Sequence, residues 1–70
     1  MSSGTVKWFN NKKGYGFITS PESEKDIFVH ITAVQGSGLD KIFEGQNLLF
    51  DIIPDRTGRP EAHNISPIKS

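Results

Sequence analysis

The alternation of polar and apolar positions predicts a strand with an aromatic face near the start of the chain. Successive side chains of an extended strand point to opposite faces of the sheet. Tyr15 and Phe17 therefore share one face, while Gly16 and Ile18 take the other. Aromatic residues and small or aliphatic residues are thus sorted to different sides of this strand.

The segment from Ile27 to Ile31 alternates in the same way. Phe28 and His30 fall on one face, and the aliphatic residues between and beside them fall on the other. Aliphatic side chains are what a small β core buries, so the rings of both segments are left on the side that meets water. A small soluble domain rarely exposes such a patch without a use.

The same pattern predicts five strands and no helix longer than about one turn. Turn residues such as Gly14, Pro21 and Gly58 separate the strands. The predicted strands are Thr5 to Asn10, Tyr15 to Ser20, Ile27 to His30, Gln46 to Ile53, and Glu61 to Ile65 with Ile68 as its furthest end. A short 3₁₀ turn is predicted at Thr32 to Val34, followed by a mobile, glycine-containing loop from Gln35 to Asp40.

Short strands at close spacing favour a closed barrel. Closure hides the strand edges that an open sheet of 70 residues would expose. Three strands before the long loop and two strands after it fit an OB-type barrel. We therefore predict an all-β fold, a five-stranded antiparallel OB-fold barrel that forms a single domain over residues 1–70.

Composition narrows the class of protein. The chain is 34% hydrophobic and has no apolar run near the roughly 20 residues that a membrane helix needs. The segment Met1 to Gly4 lacks the charged and apolar regions of a signal peptide, so we expect a cytoplasmic protein without a membrane partner. Cysteine is absent, which excludes disulfides and thiolate metal sites. No pattern predicts a cofactor, a metal site or a catalytic residue.

Charge and rings together indicate a ligand. Eight basic and eight acidic residues balance, but residues 1–20 contain Lys7, Lys12 and Lys13 and no acid. Flat rings beside lysines suit unpaired bases and their phosphates, and stacking contributes about 1–3 kcal/mol per base. We therefore predict single-strand binding in which stacking outweighs charge, with a shallow salt dependence. The alternative is that the rings form a second hydrophobic layer under a loop.

Several motifs occur together and in order along the chain. They are Lys7-Trp8-Phe9-Asn10, Lys13-Gly14-Tyr15-Gly16-Phe17-Ile18, Ile27-Phe28-Val29-His30, Gly45-Gln46 and Pro60-Glu61-Ala62-His63-Asn64-Ile65. With these motifs the sequence resembles a bacterial cold-shock protein, a single cold-shock domain of the OB-fold class. The resemblance covers essentially the whole chain.

The resemblance implies binding of single-stranded RNA and DNA, with pyrimidine-rich strands preferred and low sequence specificity. It also implies an ATP-independent RNA chaperone that regulates transcription and translation in cold adaptation. The family pattern assigns base stacking to Trp8, Tyr15, Phe17, Phe28 and His30, backbone contacts to Lys7 and Lys13, and hydrogen bonds to base edges to Asn10 and Asp26.

Some positions depart from the family pattern. Ile31 and Leu39 stand where the family often has aromatic residues. Their apolar side chains still contribute contact surface, but they lack the flat face of a ring, so we expect weaker binding than in relatives with a full aromatic set. Phe43 stands where the family usually has a polar or charged residue. Either Phe43 packs into the barrel end or it extends the binding surface, and we favour the first prediction.

The loop after the fourth strand offers two basic residues. Arg59 is the preferred phosphate contact over Arg56, and the alternative is that both are solvated and pair with Asp55 or Glu61. Exposed pairs of that kind contribute about 0–1 kcal/mol.

Two motif residues have structural alternatives. Strict alternation places Trp8 on the same face as the buried Val6, so exposure of Trp8 requires a bulge in the first strand. His30 could be a structural histidine without a ligand role. We assign no function to His63.

Two other classes of protein are alternatives to a nucleic-acid-binding domain. An RNA-cleaving enzyme would use His30 and His63 as general acid and base, but nothing in the sequence places them together. A small barrel that grips proline-rich peptides through its aromatic face is the alternative function. A monomer is the default, with dimers swapped through the long loop left open.

Overall fold

The computed structural model describes residues 1–68, which form five strands and one short helix. In chain order these are β1 (Ser2–Asn10), β2 (Tyr15–Ser20), β3 (Ser23–His30), α1 (Ile31–Gly36), β4 (Asn47–Pro54) and β5 (Pro60–Pro67). The strands close into a barrel in the order β1-β2-β3-β5-β4. The predicted all-β, five-stranded OB-fold barrel is confirmed.

Four of the five strand pairs are antiparallel, as the sequence predicts, and the fifth is parallel. The parallel pair joins β3 to β5 at Phe28 and Glu61. Parallel neighbours need a crossover connection. Here α1 and β4 lie between the two strands in the chain, so β5 returns in the direction of β3 and closes the barrel.

The strand bounds differ from the predicted bounds mainly at two ends. β2 spans the predicted residues. β1 begins at Ser2 instead of Thr5, because its first residues pair with β4, with Ser2 opposite Phe50. β3 begins at Ser23 instead of Ile27, because the turn before it is confined to residues 21–22. Polar residues at the start of β3 hid this extension from the hydrophobic pattern.

The predicted 3₁₀ turn at Thr32 to Val34 is wrong, because α1 is an α-helix that also includes Gln35 and Gly36. Val34 is its buried residue. After the helix, the Ser37 hydroxyl donates to the Ala33 carbonyl at 2.7 Å and accepts from the backbone N–H of Ile65 at 2.8 Å. Part of the predicted mobile loop is therefore helix tied to β5. No helix among residues 1–68 is long and apolar enough to span a membrane.

The core lies inside the barrel and is built from the inward positions of the strands. Ile18, Ile27 and Val29 are fully buried, as the alternation predicts. The buried hydrophobic residues among residues 1–68 are Val6, Ile18, Ile27, Val29, Val34, Ile42, Leu48, Phe50, Ala62 and Ile65. Because these residues fill the interior, the rings on the alternate positions of β2 and β3 lie on the outer surface.

Candidate nucleic-acid interface

A bulge in β1 brings Trp8 to the outer surface. Val6 pairs with Ile18, but the next paired residue of β1 is Trp8, opposite Phe17, so the register shifts between Val6 and Trp8. Val6 is 1% exposed and Trp8 is 37% exposed. The extra residue of a bulge turns the following side chains to the other face. The bulge that exposure of Trp8 requires is therefore present.

Five rings form one continuous outer surface, which we call the aromatic face. It consists of Trp8 from β1, Tyr15 and Phe17 from β2, and Phe28 and His30 from β3. Neighbouring ring centroids lie 5.4 Å (Trp8 to Phe17), 5.7 Å (Phe17 to Phe28), 5.8 Å (Trp8 to Tyr15), 6.0 Å (Tyr15 to Phe28) and 6.4 Å (Phe28 to His30) apart. The structure thus brings together every ring that the sequence assigned to stacking.

Strand register explains this grouping. In the β2–β3 pair, Tyr15 lies opposite His30 and Phe17 lies opposite Phe28. Cross-strand neighbours have closely spaced Cβ atoms, so their side chains lie next to one another on the same face of the sheet. All four are half-buried and keep exposed ring surface.

Part of the Asn10 side chain is hydrogen-bonded within the hairpin turn between β1 and β2. Its side-chain oxygen Oδ1 accepts hydrogen bonds from the backbone N–H groups of Lys12 and Lys13, each at 3.0 Å. Gly14, at a φ of 77°, donates its N–H to the Asn10 carbonyl at 2.7 Å. Asn10 therefore has a structural role through its oxygen, and its amide nitrogen is the group it can offer to a base. Lys13 lies exposed in this turn.

Lys7 and Asp26 pair with each other across the surface. The Lys7 Nζ atom lies 3.0 Å from Asp26 Oδ2, and the two side chains are 53% and 41% exposed. An exposed ion pair of this kind contributes about 0–1 kcal/mol. Both groups can therefore exchange partners with a phosphate or a base edge at little cost.

His30 has a structural role as the residue that caps α1. Its Nδ1 atom accepts a hydrogen bond from the backbone N–H of Thr32 at 3.2 Å and lies 2.9 Å from the Thr32 hydroxyl. With Nδ1 as acceptor, the neutral ring carries its proton at Nε2. The same ring belongs to the aromatic face, so the cap fixes its orientation there.

Ile31 and Leu39 are both half-buried and pack against the core. The Ile31 N–H donates to the carbonyl of Gly14 at 2.8 Å, which ties the end of β3 to the β1–β2 turn. Each side chain therefore gives part of its surface to the barrel and leaves only the remainder for a ligand.

Arg59 makes two contacts that join the loop before β5 to the aromatic face. Its Nε atom lies 3.3 Å from Asp55 Oδ2. This ion pair is one that the sequence predicted as the alternative to a phosphate contact. The guanidinium carbon of Arg59 also lies 4.7 Å from the centroid of the Phe28 ring. Glu61 contacts His63 instead, with Oε1 at 3.5 Å from Nε2. Arg56 is exposed.

Asp55 organises this loop, a role that sequence reasoning missed. Its Oδ1 atom accepts from the Thr57 N–H at 2.8 Å, the Thr57 hydroxyl at 2.7 Å and the Arg59 N–H at 3.0 Å. An aspartate that binds the backbone two residues later is the signature of an Asx turn, and Asp55-Arg56-Thr57-Gly58 carried that signal.

The Thr57 hydroxyl is the main reason that the pKa of Asp55 lies below the ordinary value of an aspartate. Desolvation is the second-largest effect and raises the pKa, while the backbone N–H groups of Thr57 and Arg59 and the charge of Arg59 lower the pKa further. All of these partners favour the ionised carboxylate over the protonated form.

The lowered pKa of Asp55 predicts a pH-dependent contribution to stability. A carboxyl with a depressed folded pKa stabilises the protein above its unfolded pKa of about 3.9, and this contribution is lost as pH falls through the folded value. We expect Asp55→Asn to be less stable than the parent at pH 6, and the gap to be smaller at an acidic pH below the unfolded pKa. Urea unfolding at both pH values measures the gap, and a gap independent of pH would contradict the assignment.

Phe43 is exposed, so the expectation that it packs into the barrel end is wrong. Its side chain is 57% exposed, and the Lys41 Nζ atom lies 5.5 Å from its ring centroid. The neighbouring Ile42 is fully buried and takes the inward position. The Gln46 Oε1 atom accepts from the Phe43 N–H at 3.1 Å and closes the turn with Phe43 on the outside.

A closed five-stranded barrel with adjacent rings and lysines on its outer surface defines the class of OB-type barrels that bind oligonucleotides. The model of the 'Cold-shock' DNA-binding domain matches residues 2–68 of this chain. The chain belongs to the cold-shock domain family, a family of nucleic-acid-binding proteins and not of enzymes.

Several members of the family are similar to this chain over almost its whole length. The cold shock-like protein CspC of Shigella flexneri is 51% identical over 65 residues, which is 93% of each chain. The cold shock protein CspB of Geobacillus stearothermophilus is 51% identical over 65 residues, 93% of this chain and 96% of the relative. The cold shock protein CspA of Rhizobium meliloti is 46% identical over 66 residues, again 93% and 96%.

Proposed function

We propose that the chain binds single-stranded RNA and DNA by stacking bases on the aromatic face. The observation that carries this proposal is the contiguity of five rings on the outer surface of three adjacent strands, with neighbouring centroids at most 6.4 Å apart. Every base has a π face, so such a surface binds strands with low sequence preference. Bases in a duplex are stacked on one another and cannot reach it.

The proposal gives each side chain a role. Trp8, Tyr15, Phe17, Phe28 and His30 stack on bases, and Ile31 and Leu39 add apolar contact. Lys7 and Lys13 meet phosphates, while the Asn10 amide nitrogen and the Asp26 carboxylate bind base edges. Arg59 lies at the same surface through Phe28. Few charged side chains face the bound nucleic acid, so stacking dominates the affinity. Pyrimidine-rich strands are the preferred targets, because they have little structure of their own.

The same binding chemistry supports an RNA chaperone that needs no ATP. A protein that binds unpaired strands and not the duplex shifts RNA toward the open state by mass action. We propose that the protein acts in this way as a monomer in the cytoplasm and regulates transcription and translation during cold adaptation, when base pairing is more stable.

Titration of Trp8 fluorescence tests the proposal. Trp8 is the single tryptophan of the chain and lies on the aromatic face, so a stacked base should quench it. We expect strong quenching by a pyrimidine-rich strand of about seven nucleotides and little by the matching duplex. With about three phosphate contacts, from Lys7, Lys13 and Arg59, the slope of log affinity against log salt should be near −2, at roughly −0.7 per contact.

The contrary outcomes of this titration are informative. If the single strand neither quenches Trp8 nor competes with a labelled strand, the proposed function is wrong. Quenching by proline-rich peptides in its place would favour a protein-interaction module, which binds peptides through a similar aromatic surface.

A further inference from the structure

Arg59 covers one ring of the aromatic face. Its guanidinium carbon lies 4.7 Å from the centroid of Phe28, within the distance of a cation–π contact. Phe28 is the ring with the most neighbours on this face, since its centroid lies within 6.4 Å of those of Tyr15, Phe17 and His30. A strand that crosses the face from Phe17 to His30 must therefore pass over Phe28.

The loop holds Arg59 in this place from both its backbone and its side chain. The Asp55 N–H donates to the Arg59 carbonyl at 2.9 Å, and Asp55 Oδ1 accepts from the Arg59 N–H at 3.0 Å. Asp55 Oδ2 lies 3.3 Å from Arg59 Nε. These hydrogen bonds fix the backbone of Arg59 on both sides of its Cα atom. From this position the side chain reaches the Phe28 ring.

We propose that Arg59 is a displaceable occupant of the stacking position on Phe28, which a base must expel before it can stack there. The inference rests on the proposed function, because it concerns how a base reaches this ring. A guanidinium and a base are both planar groups that lie flat on a ring, and they cannot occupy the same face of it together. Arg59 therefore sets the affinity of the Phe28 position.

The contacts that hold the guanidinium are weak enough for a base to displace it. The Arg59 side chain is 54% exposed and the Asp55 side chain is 18% exposed, so the guanidinium side of the ion pair is solvated. The contact of Arg59 with Phe28 is a partly solvated cation–π contact. Base stacking on an aromatic side chain is the stronger interaction in this setting. The displaced guanidinium keeps its charge and moves into solvent beside the bound strand.

Proton NMR of the Arg59 side chain tests the displacement directly. In the free protein, the ring current of Phe28 should shift the Hδ and Hε resonances of Arg59 upfield, and Phe28→Leu should abolish the shift. Saturation with a seven-nucleotide thymidine strand should return these resonances toward values of an exposed arginine. A shift that persists or grows in the complex would mean that Arg59 stays on the ring beneath a base, which would overturn the inference.

Affinity measurements provide a second test with a charge-matched control. At high salt, where attraction to phosphates is screened, Arg59→Ala should bind the thymidine strand about two- to fivefold more tightly than the parent. Arg56→Ala removes the same charge from the same loop without uncovering a ring, and it should bind no more tightly than the parent. Equal or weaker binding by Arg59→Ala than by Arg56→Ala at high salt would overturn the inference.

Failure of this inference is distinguishable from failure of the proposed function. If the parent protein binds no single strand, the proposed function fails and the inference fails with it. If the parent binds while Arg59 remains on Phe28 and its removal weakens binding, the proposed function stands and Arg59 is an ordinary contact residue.

Discussion

Replacing Trp8 and Phe17 together with alanine should lower the affinity for a single strand at least about 30-fold, or about 2 kcal/mol. Each base stacked on an aromatic side chain contributes about 1–3 kcal/mol, so independent losses would reach 2–6 kcal/mol. The two rings are in contact, with centroids 5.4 Å apart, and residues in contact do not act additively. The lower end of the range is therefore the expected result.

The double variant has no tryptophan, so the measurement uses fluorescence anisotropy of a labelled seven-nucleotide strand. Urea unfolding must show that the variant is still folded, because Phe17 is half-buried. Ile68→Ala is the matched control, because it removes an apolar side chain of a residue that is 41% exposed. The backbone N–H of Ile68, which donates to the Asn47 carbonyl at the start of β4, is kept. A loss below threefold in a folded double variant would show that bases do not stack on these rings.

The barrel and its aromatic face were predictable because both follow from strand alternation. Tyr15 and Phe17 alternate with Gly16 and Ile18, and burial of Ile18 fixes which face meets water. Register then follows from the tight turn between β1 and β2. The exposure of Trp8 could be predicted only on the condition that β1 contains a bulge. A bulge has no clear hydrophobic signature, and alternation alone puts Trp8 on the inside.

Other features depend on contacts between residues far apart in the chain, which local patterns do not contain. The length of α1 is an example, because the Ser37 hydroxyl at its end bonds the N–H of Ile65 on β5. The exposure of Phe43 is another: Ile42 takes the buried position, and nothing in the sequence decides between the two. The contact of Arg59 with Phe28 is a third example. It joins the loop before β5 to β3, and these two strands pair at Phe28 and Glu61.

Gly16 lies opposite Phe9 of β1, where the two strands leave no room for a side chain. A Cβ atom at this position would collide with the Trp8 carbonyl oxygen and would lie 2.7 Å from the Cα atom of Phe9. It would also lie 2.8 Å from Cδ1 of the Phe9 ring, which packs against the core. Two of these three contacts are with backbone atoms, which cannot rotate away as a flexible side chain can. A side chain at residue 16 would therefore force β1 to shift next to the bulge that exposes Trp8.

Gly16→Ala should consequently destabilise the protein by about 3 kcal/mol or more, at the upper end of the cost of overpacking. A 70-residue domain has only about 4–10 kcal/mol in total, so the variant should melt at least 12 °C lower. Gly36→Ala is the matched control, since nothing lies within 4 Å of its Cβ position in α1, and it should be neutral or slightly stabilising. Calorimetry of both variants decides the matter. Equal melting temperatures would show that β1 can withdraw from β2 without cost, and Trp8 would then not owe its position to Gly16.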